Sequence, residues 1–329
     1  MDIIRIRDLK KVYKTYERGS TFLDTVKSLF VRKCIEIEAL KGITLSVGQG
    51  EILGFLGPNG AGKSTTLKIL TGVLFPTSGE ADVMGYTPWR HRKSYVSHIG
   101  AVFGQKSQLI WDIPPLDSFE MNKAIYGISD KNYKDRLDSM TEMLGLQNII
   151  RKPTRQLSLG ERMKCEFIMA MLHDPGIVFL DEPTIGLDVV AKEKIRDFIR
   201  EQNKRGVTFI LTTHDMGDIE KLAKRVVVIN SGELVFDGGM DALRKFSGVK
   251  KRVHLAVKKE LPPFESDPGV QLISRTSPTV AELELDMARI ELNTFIRDIN
   301  EKYIISDMTM SDPPIESVIR ELYTQKSTP

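Results

Sequence analysis

The stretch Glu51-Ile-Leu-Gly-Phe-Leu-Gly-Pro-Asn-Gly-Ala-Gly-Lys-Ser-Thr-Thr66 decides the architecture of this chain. Ile52 to Leu56 is a short apolar run of the kind that forms a buried strand, and it feeds Gly57-Pro58-Asn59-Gly60-Ala61-Gly62-Lys63-Ser64, a G-x-x-x-x-G-K-[ST] phosphate-binding loop. Leu67, Ile69 and Leu70 then repeat at helical spacing. Strand, glycine loop and helix in that order suit one task. Glycines let the backbone close around a polyphosphate, its N–H groups and the helix N-terminus face the anion, Lys63 reaches the β- and γ-phosphates, and Ser64 ligates magnesium. Thr65 and Thr66 continue the motif into the first turn of the helix.

Working outward, a chain of 329 residues is about twice the usual domain size, which predicts two domains. Charged residues at 28% and apolar ones at 41% are ordinary for a globular protein. The net charge of +3 gives no strong global field to argue for a nucleic-acid partner, none being expected, and two cysteines, Cys34 and Cys165, are too few for a disulfide framework or a metal cluster. The N-terminus is interrupted by charges, and apolar runs stay well short of the roughly 18 residues of a membrane span, so the chain reads as neither secreted nor membrane-spanning by itself.

Before the phosphate loop, Ile4 and Ile6 alternate as in a strand that reaches Tyr13. Residues 14 to 35 read as an insertion, with strands resuming at Ile35 to Ala39 and Ile43 to Val47. Within it, Phe22, Leu23, Val26, Leu29 and Phe30 share one helical face behind a Thr21/Asp24 capping box, and residues 1 to 34 carry nine Lys/Arg against four Asp/Glu. Such a helix suits an anionic membrane surface or the flank of its own domain equally well. After the loop, Gly79 to Gly85 and Ile99 to Phe103 read as strands, the latter ending at Gly104-Gln105. From about residue 106 to 165 the composition turns helical, over Ser118 to Tyr126 and Tyr133 to Leu144. Trp111, Pro114, Pro115 and Phe119 form an exposed apolar anchor surface there, or a satellite core.

Ile177-Val-Phe-Leu180 is a buried parallel strand that runs into Asp181 and Glu182. Acids at the carboxyl edge of such a sheet are placed for ligands; by itself the pattern also fits a strand ending in solvated carboxylates. Beside a phosphate loop, Asp181 is a magnesium ligand and Glu182 a base for the water that attacks the γ-phosphate. The next strand, Val207 to Leu211, ends in Thr212-Thr213-His214-Asp215, which brings a histidine to the same edge.

Leu157-Ser158-Leu159-Gly160-Glu161-Arg162 lies upstream of the two-acid strand, and with it residues 1 to about 240 resemble the ATP-binding cassette family. The resemblance implies an α/β fold with a RecA-like phosphate-loop core, an inserted α-helical subdomain, and cofactors ATP and Mg2+. It implies two such domains in a head-to-tail sandwich, Ser158 and Gly160 of one capping the γ-phosphate held at Lys63 of the other. Gln105 resembles the glutamine that senses magnesium and the attacking water, His214 the switch histidine, Asp188 of Gly186-Leu187-Asp188 the polar member of the interface loop, and Tyr13 the aromatic that stacks on adenine, with Tyr16 as second candidate. Leu159 and Glu161 depart from the family's usual glycine and glutamine. The implied role is an ATP hydrolase on the cytoplasmic face of the cell membrane, paired with a second copy or a paralogue and coupled to a separate integral membrane permease, most similar to exporters. A soluble cassette acting on ribosomes or nucleic acid would carry two tandem cassettes or a coiled-coil insertion; one phosphate loop and no sustained heptads stand against it.

Residues 246 to 329 form a separate piece. Val253, Leu255 and Val257 alternate, Val270 to Ser274 and Val280 to Asp286 suit a hairpin, and Ile290, Phe295, Ile296 and Ile299 share a helical face. A strand over Tyr303 to Met310 and a helix over Ile315 to Tyr323 complete a small α+β domain with no catalytic constellation.

Overall fold

The computed structural model describes residues 1–16, 34–104, 106–213, 215–246, 250–261 and 269–325. The chain divides into two compact units, Met1–Gly238 and Gly239–Pro329. The helix predicted within residues 21 to 30 lies outside the described residues.

In the first unit, β1 (Asp2–Tyr16) and β2 (Cys34–Gly48) pair antiparallel from Asp2↔Gly48 to Tyr16↔Cys34. Ile4, Ile6 and Leu9 are buried against Ile43, Leu45 and Val47, as their alternation predicts. Two expectations are corrected. The first strand runs on past Tyr13 to Tyr16, and the second begins at Cys34 and continues through Leu40-Lys41-Gly42 without a break. Residues 34 to 38 are all exposed, so this end of the hairpin is held by ladder hydrogen bonds, which leave no mark in the apolar pattern. Register shifts near Leu9 and Lys11 absorb the irregular segment, where Gly42 has a φ of 115°.

β3 (Ile52–Leu56) leads through the phosphate loop into α1 (Lys63–Leu70), and β4 (Ser78–Val83) returns to pair with β1. The main sheet comprises β3, β5 (Ile99–Phe103), β6 (Ile177–Asp181), β7 (Thr208–Thr212), β8 (Arg225–Asn230) and β9 (Glu233–Gly239), in the order β5-β6-β7-β3-β8-β9. Its first five strands are parallel, and Leu53, Phe55, Phe179, Ile210 and Val227 are fully buried within it. Register aligns Phe55 with Thr212 and Thr212 with Asp181. The phosphate loop, the acid pair and the end of β7 therefore meet at one carboxyl edge, where ligands bind in open parallel sheets.

The helical region holds α2 (Pro115–Tyr126), α3 (Asp130–Leu144) and α4 (Leu159–Met171). α2 and α3 each start three residues before the position read from apolar spacing. Pro115 occupies the first turn of α2, and the Ser129 side chain accepts from Asn132 N ahead of α3, so capping chemistry outranks periodicity at both starts. The anchor surface is also corrected: Phe119 is fully buried in the helical core, whereas Trp111 is half exposed. On a helix, Phe119 faces inward once the register from Pro115 is set; the loop residue Trp111 has no such constraint. α5 (Val189–Lys204) and α6 (Met216–Leu222) follow β6 and β7.

In the second unit, α7 (Met240–Phe246) precedes β10 (Lys250–Val257), β11 (Val270–Ser277), β12 (Val280–Asp286), α8 (Leu292–Lys302), β13 (Ile305–Ser311) and α9 (Ile315–Gln325). The sheet is antiparallel in the order β11-β12-β10-β13. Val253, Leu255, Ala281, Leu283 and Leu285 form its buried face, with Phe295 and Ile299 of α8 in the same core. The break expected after residue 245 falls after Gly238 instead, because α7 packs on α9 rather than serving as a linker.

Tyr95 shows how the core holds the phosphate-loop helix: its ring is fully buried and its hydroxyl donates to Leu70 O, the last residue of α1, at 2.7 Å. Tyr95→Phe leaves that carbonyl without its partner, and urea unfolding should report a loss of about 1–2 kcal/mol.

Candidate active site

The phosphate loop is shaped by three glycines with positive φ, Gly57 at 153°, Gly60 at 81° and Gly62 at 112°. Space as well as conformation demands two of them. A Cβ on Gly57 would lie 2.2 Å from Ile229 O, and one on Gly62 would lie 2.8 Å from Ala39 O. Ala61 ties the loop to the sheet, its carbonyl accepting from Gly232 N at 3.0 Å while Gly232 O accepts from Lys41 N at 2.9 Å. Thr66 is buried and donates its hydroxyl to Gly62 O at 3.0 Å.

Lys63 is buried at the start of α1, and its ammonium donates to Gly57 O at 2.7 Å and Pro58 O at 3.0 Å, so it lies folded under the loop. Burial pulls this ammonium below its ordinary pKa, while the charges of Glu182 and Asp181 oppose the shift. Across the same edge, Asp181 Oδ1 accepts the hydroxyls of Ser64 at 3.0 Å and Thr212 at 2.5 Å. Ser64 and Asp181 form a pair of hard oxygen donors that suits Mg2+, an ion bound through few protein oxygens with its remaining positions filled by water and phosphate. Glu182 follows with φ 53°, a left-handed conformation that costs on the order of 1 kcal/mol outside glycine. Gly104 accommodates it, since a Cβ there would lie 2.3 Å from Glu182 O. Gly57, Pro58, Asn59, Gly60, Ser64, Asp181 and Glu182 line one open cleft of about 880 Å3, a size that takes a nucleotide.

The cleft also gathers residues that motif reading missed: Lys68, Val73, Phe103, Gly104, Lys106 and Ile185. Lys106 carries a readable signal, a cation directly after Gln105; Thr212 carried only its place at the end of an apolar strand. Gln105 and His214 lie outside the described residues. Tyr13, Ser158, Gly160 and Asp188 do not line the cleft within this chain. Tyr13 is exposed on β1 with Lys11 Nζ 5.2 Å from its ring centroid. Ser158 is the N-cap of α4 in a complete capping box with Glu161, and Gly160 approaches Ala191, where an added Cβ would come within 3.0 Å. Asp188 caps α5, accepting from Ala191 N at 2.7 Å, so the signature segment and the Gly186–Asp188 loop lie side by side.

Two polar networks frame the site. Asp218 is buried on α6 and accepts from Thr184, two residues beyond Glu182, and from Arg196 of α5 at 2.7 Å. Asp215 pairs with Lys192 of α5 and caps α6 through Gly217 N at 3.0 Å. On α4, Glu166 is buried, accepting from the Ser107 hydroxyl and from Gln108 N at 3.1 Å. Burial pushes the Glu166 carboxyl above its ordinary range, and the bonds from Ser107 and Gln108 oppose that shift.

Fold and cleft together define a phosphate-loop nucleotide-binding cassette. Residues 40–185 match the ABC transporter family. Over 251 residues the chain is 30% identical to the methionine import ATP-binding protein MetN 2 of Enterococcus faecalis, covering 75% of this chain and 71% of that one. It is 31% identical over 211 residues to the daunorubicin resistance ATP-binding protein DrrA3 of Streptomyces coeruleorubidus, 64% of this chain and 66% of the relative. The cassette MJ0796, solved as a dimer in a post-hydrolysis state bound to ADP and Pi, is 25% identical with a TM-score of 0.60, over 72% of this chain and 98% of that one. The chain belongs to the ABC transporter family, as one of its ATP-hydrolysing, ATP-binding subunits.

Glu166→Ala strips the acceptor from Ser107 and Gln108 and opens a void, and should cost about 2–4 kcal/mol in urea unfolding. The hydrogen bond from Lys192 holds the Asp215 carboxyl below its ordinary value. A depressed folded pKa stabilises above the unfolded value, near 4, and that stability disappears as pH falls through the folded value. Asp215→Asn should therefore be less stable than the parent at neutral pH, with the gap closing below about pH 4 when both are titrated by circular dichroism.

Proposed function

We propose that this subunit drives export of a substrate through a separate integral membrane permease, by closing on a second copy of itself around ATP and reopening after hydrolysis. The observation that carries the reading is the convergence of Ser64, Asp181 and Glu182 on one cleft at the carboxyl edge of the parallel sheet, with Lys63 buried beneath the loop that lines it.

The loop from Gly57 to Gly62 wraps the phosphates with backbone N–H groups, and Thr65 and Thr66 extend that cradle. Lys63 exchanges its two carbonyl partners for β- and γ-phosphate oxygens. Ser64 and Asp181 would hold magnesium, with Gln105 as the residue that senses it, and the ion would neutralise charge on the phosphate oxygens. Glu182 takes a proton from water as the water oxygen bonds to the γ-phosphorus and the bond to the β–γ bridging oxygen breaks, while His214 keeps water and Glu182 aligned. Tyr13 stacks on adenine. Ser158 and Gly160 of the second copy cap the γ-phosphate, and Asp188 lies at the joint between the copies. Positioning and electrostatics supply most of the rate enhancement.

Ile110, Trp111, Met121 and Ile125 are exposed apolar side chains on the helical region and form the surface offered to the permease. Arg162 of α4 lies 5.7 Å from the centroid of the Trp111 ring, which links that surface to the helix capped by Ser158. Export rather than import rests on the resemblance to exporters and on the resistance role in DrrA3's name, against the import in MetN 2's.

Glu182→Gln should retain ATP binding, lower turnover about 10²- to 10⁴-fold, and accumulate ATP-bound dimers on size exclusion. Unchanged turnover rules Glu182 out as the base. Deletion in the parent cell should raise the intracellular level of the exported compound, and a rise in the medium instead reverses the direction.

A further inference from the structure

Ser158 and Glu161 are locked to each other more completely than a helix cap requires. Ser158 N donates to Glu161 Oε2 at 2.8 Å, the Ser158 hydroxyl donates to the same oxygen at 2.9 Å, and Glu161 N donates back to Ser158 Oγ at 3.2 Å. The single proton of the Ser158 hydroxyl is thereby directed inward, onto a carboxylate. A serine that caps a phosphate must instead donate its proton outward. Both bonds to Oε2 are charge-assisted, which makes them about twice as strong as their neutral counterparts. Glu161 is anionic at neutral pH, since those bonds hold its carboxyl below the ordinary range, burial opposing them and Lys164 and Lys152 adding smaller contributions in the same direction. Any phosphate that reaches Ser158 Oγ meets this negative charge one hydrogen bond further on.

We infer that Glu161 is a positioning residue that opposes closure of the second cassette over ATP, by setting its charge against the γ-phosphate that Ser158 must cap. The inference rests on the two-copy reading above. A glutamine at this position satisfies the same capping box, because its amide oxygen accepts from Ser158 N as a carboxylate does. The charge at residue 161 is therefore separable from the cap, and it sets how much ATP is needed to close the dimer.

The test uses the full chain carrying Glu182→Gln, with and without Glu161→Gln, and follows dimer formation by analytical ultracentrifugation as Mg-ATP is raised. Removing one charge about 5 Å from a phosphate oxygen in a water-like dielectric corresponds to about fourfold in affinity per composite site, so the double variant should dimerise at several-fold lower ATP. The advantage should shrink as ionic strength rises from about 0.05 to about 0.5 M, because an exposed charge is screened. A purely structural role for Glu161 predicts no gain in Glu161→Gln, no salt dependence, and lower thermal stability in Glu161→Ala alone. Dimers that form in Glu182→Gln but at the same or higher ATP when Glu161→Gln is added overturn the assignment of Glu161 and leave the two-copy reading intact. Absence of ATP-driven dimers in both backgrounds overturns the two-copy reading and this inference with it.

Discussion

One carboxylate oxygen joins the parts of this site that matter. Asp181 Oδ1 accepts from Ser64, at the start of α1, and from Thr212, at the end of β7, while Asp181 itself ends β6. Three chain segments that are more than thirty residues apart from one another in sequence are thus pinned within two hydrogen bonds of the same atom. The parallel register that sets Asp181 opposite Thr212 makes the contact possible. An acidic acceptor is the stronger choice here because both donors are hydroxyls, and that of the buried Thr212 would be expensive to leave unpaired.

Around this point the protein tolerates local strain to hold an acidic side chain at the cleft. Glu182 sits in a left-handed conformation, and Gly104 leaves room for its carbonyl. A bulkier residue at 104 would displace Glu182 and the Asp181 backbone together, since Gly104 N donates to Asp181 O at 2.8 Å. Lys63 shows the same economy of placement. Its ammonium is already desolvated and already held by carbonyls, so the environment that would strengthen its grip on a phosphate exists before any ligand arrives. The buried Asp218, bonded to Thr184 and Arg196, steadies the segment just beyond Glu182 from the α6 side.

α4 connects what happens at the cleft to the rest of the helical region. Its N-cap is Ser158, its side chain Arg162 faces Trp111, and its buried Glu166 grips Ser107 and Gln108 on the segment that leaves the cleft through Lys106. These contacts lie within one unit and put Ser158, Arg162 and Glu166 on a single helix.

Local spacing was enough to read the phosphate loop and the Asp181-Glu182 strand end, because each is a short-range pattern whose chemistry depends on residues a few positions apart. Parallel strands buried on both faces were legible for the same reason. The three-residue shift in the starts of α2 and α3 came from local capping at Pro115 and Ser129, whereas burial of Phe119, the extension of the hairpin to Tyr16↔Cys34, and the inclusion of α7 in the second unit were decided by tertiary structure. In each, the deciding partner lies far along the chain or is a backbone group, and neither leaves a trace in side-chain periodicity. Thr212 makes the point most simply: sequence gives only its place at the end of an apolar strand, and the alignment of β6 beside β7 is what brings its hydroxyl to Asp181.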